Sequence, residues 1–238
     1  MTLVLHAGGA VATMEQVQAC PVPEQVGRYH PVPHDKVLDT VRETLHGAGF
    51  EPTKERLALS HQGKRFFAVL DLKSGLAEGV SLSVGIRNSL DKSFPLGFAA
   101  GSRVFVCDNL AFNAELLVRR RHTLNGMRNF GNGIAQAVGS LGSYMDSERL
   151  RIENLMVRTL TPLEVDHTIL SAFRKGIISS VQIEKVCTEW EKPRHEEFAP
   201  RTAWSLLNAF TEVLKPRAVK NPEQFVAATI RLNGMLTN

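Results

Sequence analysis

The sequence predicts an α+β fold: an N-terminal helix and an antiparallel sheet with a packing helix, followed by a helical C-terminal region. Three observations predict it. Apolar residues fall at helix spacing around Val37–Leu45, at strand spacing from Arg56 to Cys107, and at helix spacing again from Met127 onward. The strand runs are joined by turns too short for crossover helices, which makes the sheet antiparallel. Helix-start and helix-stop residues then punctuate the chain after Thr161.

Residues 1–35 read as an extended arm. Gly8-Gly9 and then Pro21, Pro23, Pro31 and Pro33 are too dense for a helix interior. His6, His30 and His34 lie in this arm without a Cys–His cluster of finger spacing, so they read as solvated loop residues.

An α+β core domain is expected over 36–145. Asp35 is placed to cap a helix whose Val37, Leu38, Val41 and Leu45 share one face, and Gly47 and Gly49 end it. Arg56–His61 and Lys64–Leu72 flank Gln62-Gly63 and predict a hairpin. Val80–Arg87 alternates apolar and small polar residues, the pattern of a strand with one buried face. Leu96–Gly101 leads into Arg103–Cys107, a short strand run ending at Asp108-Asn109. Asn113–Arg121 is predicted as a helix ending in three arginines. Met127–Leu141 places Phe130, Ile134, Val138 and Leu141 in one apolar stripe, the expected packing helix.

A helical region is expected over 146–238. Thr161-Pro162-Leu163-Glu164 combines an N-cap hydroxyl, a first-position proline and a third-position glutamate. Gly176 closes that helix. Ser180 is placed to cap Val181–Glu191, which Lys192-Pro193 ends. Thr202–Leu214 and Pro222–Leu236 give two more helices. In the first of these, spacing puts Trp204 and Leu207 in the core and leaves Asn208 to bond backbone.

The chain has 238 residues, 43% hydrophobic and 22% charged, which is ordinary for a globular protein able to bury most of its unfolded surface. No apolar run approaches a membrane span, and the first residues lack the basic region of a signal peptide. Cys20, Cys107 and Cys187 are odd in number and far apart, so a reducing cytoplasm is expected. A formal charge of +4 leans toward polyanionic partners.

No Walker loop, Gly-x-Ser-x-Gly elbow or His-Glu-x-x-His helix occurs, and no catalytic residue, metal or cofactor is assigned. Cys107 with His122 would resemble a nucleophile and its base, but a cysteine ending a strand reads as a small buried apolar group. Asp71, Asp91 and Asp108 would suit a metal-dependent nuclease, against the commoner role of turn aspartates as caps.

The basic residues carry more. From Arg87 to Arg128 only Asp91, Asp108 and Glu115 oppose the bases. Lys64, Arg65, Arg87, Lys92, Arg103, Arg119, Arg120, Arg121 and Arg128 are the candidate nucleic-acid contacts, because counterion release rewards such a cluster on a phosphate backbone. Phe66, Phe67 and Phe130 lie near them in sequence as candidate base-stacking rings. A solvated face and a protein interface are the competing readings.

Arg87-Asn88-Ser89-Leu90-Asp91-Lys92-Ser93, Gly101–Leu110, Arg121-His122-Thr123 and Thr202–Glu212 occur in that order. In these pieces the chain resembles a phage- and plasmid-borne family, domain of unknown function 932, over roughly Val37 to the C-terminus. The resemblance implies mobile-element DNA metabolism, and no reaction. Arg128-Asn129-Phe130-Gly131-Asn132-Gly133 is also similar to a run in the sheet-packing helix of eukaryotic single-strand annealing proteins. That resemblance implies an oligomer, a ring in those proteins, holding single-stranded DNA in a basic groove. This chain departs from it in having additional strands before that helix and a helical part after it. The expectation is a single-stranded-DNA-binding or annealing protein. An accessory or antirestriction protein binding a host protein is the alternative from another class.

Overall fold

The computed structural model describes residues 9–73, 76–77, 80–104, 109–220 and 222–237; residues 102–104, 109–115, 218–220, 222–223 and 226 are described by backbone alone. Six strands run β1 (Ala10–Ala12), β2 (Pro52–Ser60), β3 (Arg65–Leu72), β4 (Val80–Ser89), β5 (Leu96–Val104) and β6 (Asn109–Arg120). They form one antiparallel sheet whose spatial order equals chain order. Helices α1 (Met14–Gln18) and α2 (His34–Gly47) precede β2. After the sheet come α3 (Gly126–Gly139), α4 (Leu141–Val157), α5 (Pro162–Arg174), α6 (Ser180–Glu191), α7 (Ala203–Lys220) and α8 (Pro222–Leu236). The fold is α+β, as expected.

Strand alternation divides the sheet into two faces. One face presents Leu57, Phe66, Ala68, Leu70, Val84, Ile86, Phe98 and Val118, all buried in the main core. Phe130, Ile134 and Val138 of α3 join that core, as their spacing predicts. The other face carries a separate small cluster in which Phe67 packs on Ala58 and Val69. The long helices extend the main core through Trp204, Leu207, Phe210 and Leu214 of α7 and Phe225 and Leu232 of α8.

Two expectations change. Asn113–Arg121 is not a helix: all of it but Arg121, which follows the strand, belongs to β6, which pairs Arg120 with Leu96, Arg119 with Gly97 and Val118 with Phe98. Its Ala, Glu, Leu and Arg residues favour helix intrinsically. The open edge of β5 supplies a ladder of backbone partners, and burial of Leu116 and Val118 on alternate positions outweighs a propensity of a few tenths of a kcal/mol per residue.

The second concerns the segment read as an extended arm. Ala10–Ala12 pairs with Leu57–Leu59 of β2, and Thr13 opens α1 with a capping box completed by Gln16. Val17, Val32 and His34 are buried. Dense prolines forbid a long helix there, but they do not prevent extended chain from packing along the sheet. Helix α2 starts at His34 with Pro33 at its N-cap, so Asp35 sits in the first turn, where its charge still favours the helix dipole.

The C-terminal helices begin and end close to their signals. Thr161 and Glu164 complete a capping box, and a second is formed by Ser179 and Gln182, one residue before the expected cap. Helix α7 continues past Leu214 to Lys220 with Pro216 inside it. Trp204 and Leu207 are buried, and Asn208 Nδ2 donates to the Trp204 carbonyl at 2.9 Å. Among the described residues no helix is long and apolar enough to cross a membrane. Trp204 is 7% exposed. Its replacement by Ala is expected to cost about 3–5 kcal/mol, read as a lower urea midpoint at unchanged slope.

Candidate nucleic-acid interface

The register brings the ends of five strands together. Ser60 pairs with Arg65, Arg65 with Ser89, and Leu96 with Arg120. The β2–β3 turn, the β4–β5 loop and the exit from β6 therefore share one end of the sheet. Lys64, Arg65, Arg87, Lys92, Arg119, Arg120 and Arg121 gather there. Arg128 follows in the first turn of α3, carried close by a tight reversal: a Cβ on Gly126 would lie 2.2 Å from the Arg121 carbonyl oxygen, so only glycine fits. Arg103 is the exception. It pairs with Ser81 toward the opposite end of β5, and its side chain is outside the described residues.

These cations do not share one direction. Phe67, Arg87, Gly97 and Arg119 form a cross-strand row on the face opposite the main core. Arg120 points the other way, toward α3, where a Cβ on Gly133 would lie 3.5 Å from its Nη2. Arg120 Nη1 also donates to the Arg119 carbonyl at 2.7 Å. Lys64, Lys92, Arg119, Arg121 and Arg128 are exposed.

The β4–β5 loop holds the centre of the site. Ser89 Oγ accepts from Phe94 N at 3.1 Å and donates to Phe94 O at 2.7 Å. Asp91 Oδ1 accepts from Ser93 N, and Asp91 Oδ2 accepts from Arg65 Nε at 2.7 Å. Burial acts to raise the Asp91 carboxyl, but the Ser93 and Arg65 bonds outweigh it and hold it below its ordinary value. The Phe94 ring lies 5.5 Å from Phe67 and 5.2 Å from the Arg87 guanidinium carbon. On the other side Lys92 sits 4.6 Å above the Tyr29 ring, and the Tyr29 hydroxyl donates to Leu90 O.

Of the expected stacking rings, Phe66 and Phe130 are fully buried and cannot reach a base. Phe67 is half-buried on the opposite face, as adjacent strand residues must be. Tyr29 and Phe94 escaped the sequence reading. Phe94 carried a signal, an aromatic ring two residues from Lys92 in a polar loop; Tyr29 carried none in a segment read as arm.

Two of the three carboxylates considered for metal, Asp71 and Asp91, are engaged elsewhere. Asp71 is buried, accepts from Arg56 at 2.9 Å and from Ser83 Oγ at 2.7 Å. It lies six residues along β3 from Arg65, the partner of Asp91, so the two aspartates are roughly 20 Å apart. Asp108 and Cys107 lie outside the described residues. Among the described residues no group of three His, Cys, Asp or Glu side chains is placed to hold a metal ion.

Two buried histidines lie beneath this end. His34 Nδ1 accepts from Asn88 Nδ2 at 2.9 Å, while its Nε2 donates to the Gly63 carbonyl at 2.9 Å. Those partners fix one neutral tautomer. Burial pushes the His34 ring below its ordinary value, against the raising effects of Gly63 and Asp35. His122 is buried beside Tyr29, at 5.7 Å between rings, with neither ring nitrogen in hydrogen-bond geometry with a described group. Burial lowers it too; the Phe94 carbonyl opposes and His34 adds to the lowering.

A family model described as a domain of unknown function, 932, matches residues 25–234. The chain belongs to that family. No curated protein and no solved structure matches it.

Depressed folded-state values of both histidines mean that the unfolded chain binds protons first as pH falls. Their contribution to stability is whole above about pH 6.5 and is lost as pH falls toward the folded values. The urea midpoint is expected to drop between about pH 7.5 and about pH 5.5, before most carboxylates titrate. In the His34→Gln, His122→Gln variant that drop should shrink. An equal drop in the variant would assign the acid sensitivity to other groups.

Proposed function

We propose that this member of the domain-of-unknown-function 932 family binds single-stranded nucleic acid, DNA foremost, at the basic end of its sheet. It does so as an oligomer, in the cytoplasm, serving recombination or repair in a phage, prophage or plasmid setting. The observation that carries the reading is the convergence of cations from β3, β4, β6, two connecting loops and α3 on one end of the sheet, with Tyr29 and Phe94 among them. Sequence-distant bases brought together by a register are a better footprint for a phosphate backbone than a basic run in one segment. The similarity of Arg128–Gly133 to annealing proteins supports the same reading. No covalent step is required of such a protein: guanidinium and ammonium groups hold phosphates, and bases stay available for pairing.

The test is oligonucleotide binding at several salt concentrations. Lys64→Ala, Arg121→Ala and Arg128→Ala remove exposed charges and should change melting little. Each is expected to weaken binding to unrelated sequences alike and to flatten the salt slope by roughly 0.7 per lost phosphate contact. Mass measured with and without a single-stranded oligonucleotide reports the oligomer. Unchanged affinity and slope in the folded triple variant would transfer this surface to the alternative, a host-protein partner.

A further inference from the structure

We propose that the Phe94 ring, with the Arg87 guanidinium beside it, is a platform on which a nucleobase stacks. The inference rests on the nucleic-acid reading above and assigns the part of the ligand that this end of the sheet reads.

Phe94 is a half-exposed aromatic ring among charges, and the fold spends several interactions on its position. The buried Ser89 hydroxyl clamps both its N–H and its carbonyl. Asp91 ties down Ser93 and is itself tied to Arg65. Lys92 takes a left-handed backbone, φ +62°, which a side-chain-bearing residue adopts at a cost. The loop is thus held in one conformation at the ring. Ordering made during folding need not be repeated on binding, which is how a rigid aromatic contributes affinity.

Arg87 is oriented by a different device. Its stem lies across Gly97, where a Cβ would stand 2.8 Å from its Cγ and Nε. The missing side chain lets the guanidinium lie 5.2 Å from the ring centre. Phe67 supports the ring from β3. Arg119 is the cross-strand neighbour of Gly97, on the same face as Arg87.

The occupant follows from this chemistry. Aromatic rings and guanidinium planes are the surfaces on which unstacked bases lie, and the surrounding positive charge suits the phosphates on either side. A duplex keeps its base faces covered, so the platform takes a single strand.

The experiment compares oligothymidylate with an abasic oligonucleotide of equal length, on protein whose melting is checked first. The wild-type chain should bind oligothymidylate more tightly. Phe94→Leu should lose roughly 5- to 150-fold on oligothymidylate and nothing on the abasic strand. Phe94→Trp should restore binding, and its added fluorescence should be quenched by oligothymidylate alone; this variant decides the matter if Phe94→Leu fails to fold. Equal wild-type binding of both strands, or full oligothymidylate binding by folded Phe94→Leu, overturns the platform and leaves the charge-based reading standing. Binding of neither strand overturns the nucleic-acid reading and the platform with it.

Discussion

The register that aligns Phe67, Arg87, Gly97 and Arg119 across four strands is the constraint on which the rest of the structure depends. Because successive strand residues alternate in direction, this row fixes the neighbouring row of Ala68, Ile86, Phe98 and Val118 on the opposite side. That second row is core, and the position of α3 follows from it through Phe130 and Ile134. A slip of one residue in β4 would bury Arg87 and expose Ile86. The core thus enforces the placement of the basic row.

The same logic explains why residues before α2 matter. Asn88 lies on the core face at the end of β4, where an unpaired amide would be costly. It donates to Val32 O and to His34 Nδ1, and His34 in turn donates to Gly63 in the β2–β3 turn. Phe66 stacks against the His34 ring at 5.3 Å. One buried polar chain therefore joins the N-terminal segment, the central strand and the turn that carries Lys64. His30 N donates to His122 O and closes the same segment against the exit of β6.

Most of this fold was legible in sequence wherever local pattern and tertiary demand agreed. Thr161 with Glu164, the apolar stripe of α3 and the alternation of β4 each combine a local signal with matching burial. β6 was not legible, because its strand character comes from β5, a partner that no local window contains. The N-terminal segment failed for a related reason: prolines state what the backbone cannot do, and say nothing of where it packs. The candidate site was half legible. The basic residues could be chosen by composition, but their convergence needed the register, and Tyr29 and Phe94 needed the loop geometry that seats them.

Charge balance argues that the sheet end differs from the rest of the surface. Elsewhere several arginines face carboxylates: Arg42 with Glu55, Arg56 with Asp71, Arg151 with Glu148, and Arg194 with both Glu189 and Glu212. At the sheet end Arg65 is matched by Asp91, but no carboxylate among the described residues pairs with Lys64, Lys92, Arg121 or Arg128. The formal charge of +4 is therefore an average that understates the local field. Attraction from such cations is screened within about 8 Å at physiological salt, whereas contact between a ring and a base is not. Under the proposed reading, an end that combines both would draw a strand in by charge and retain it by stacking, so the stacking share of the affinity would grow as salt rises.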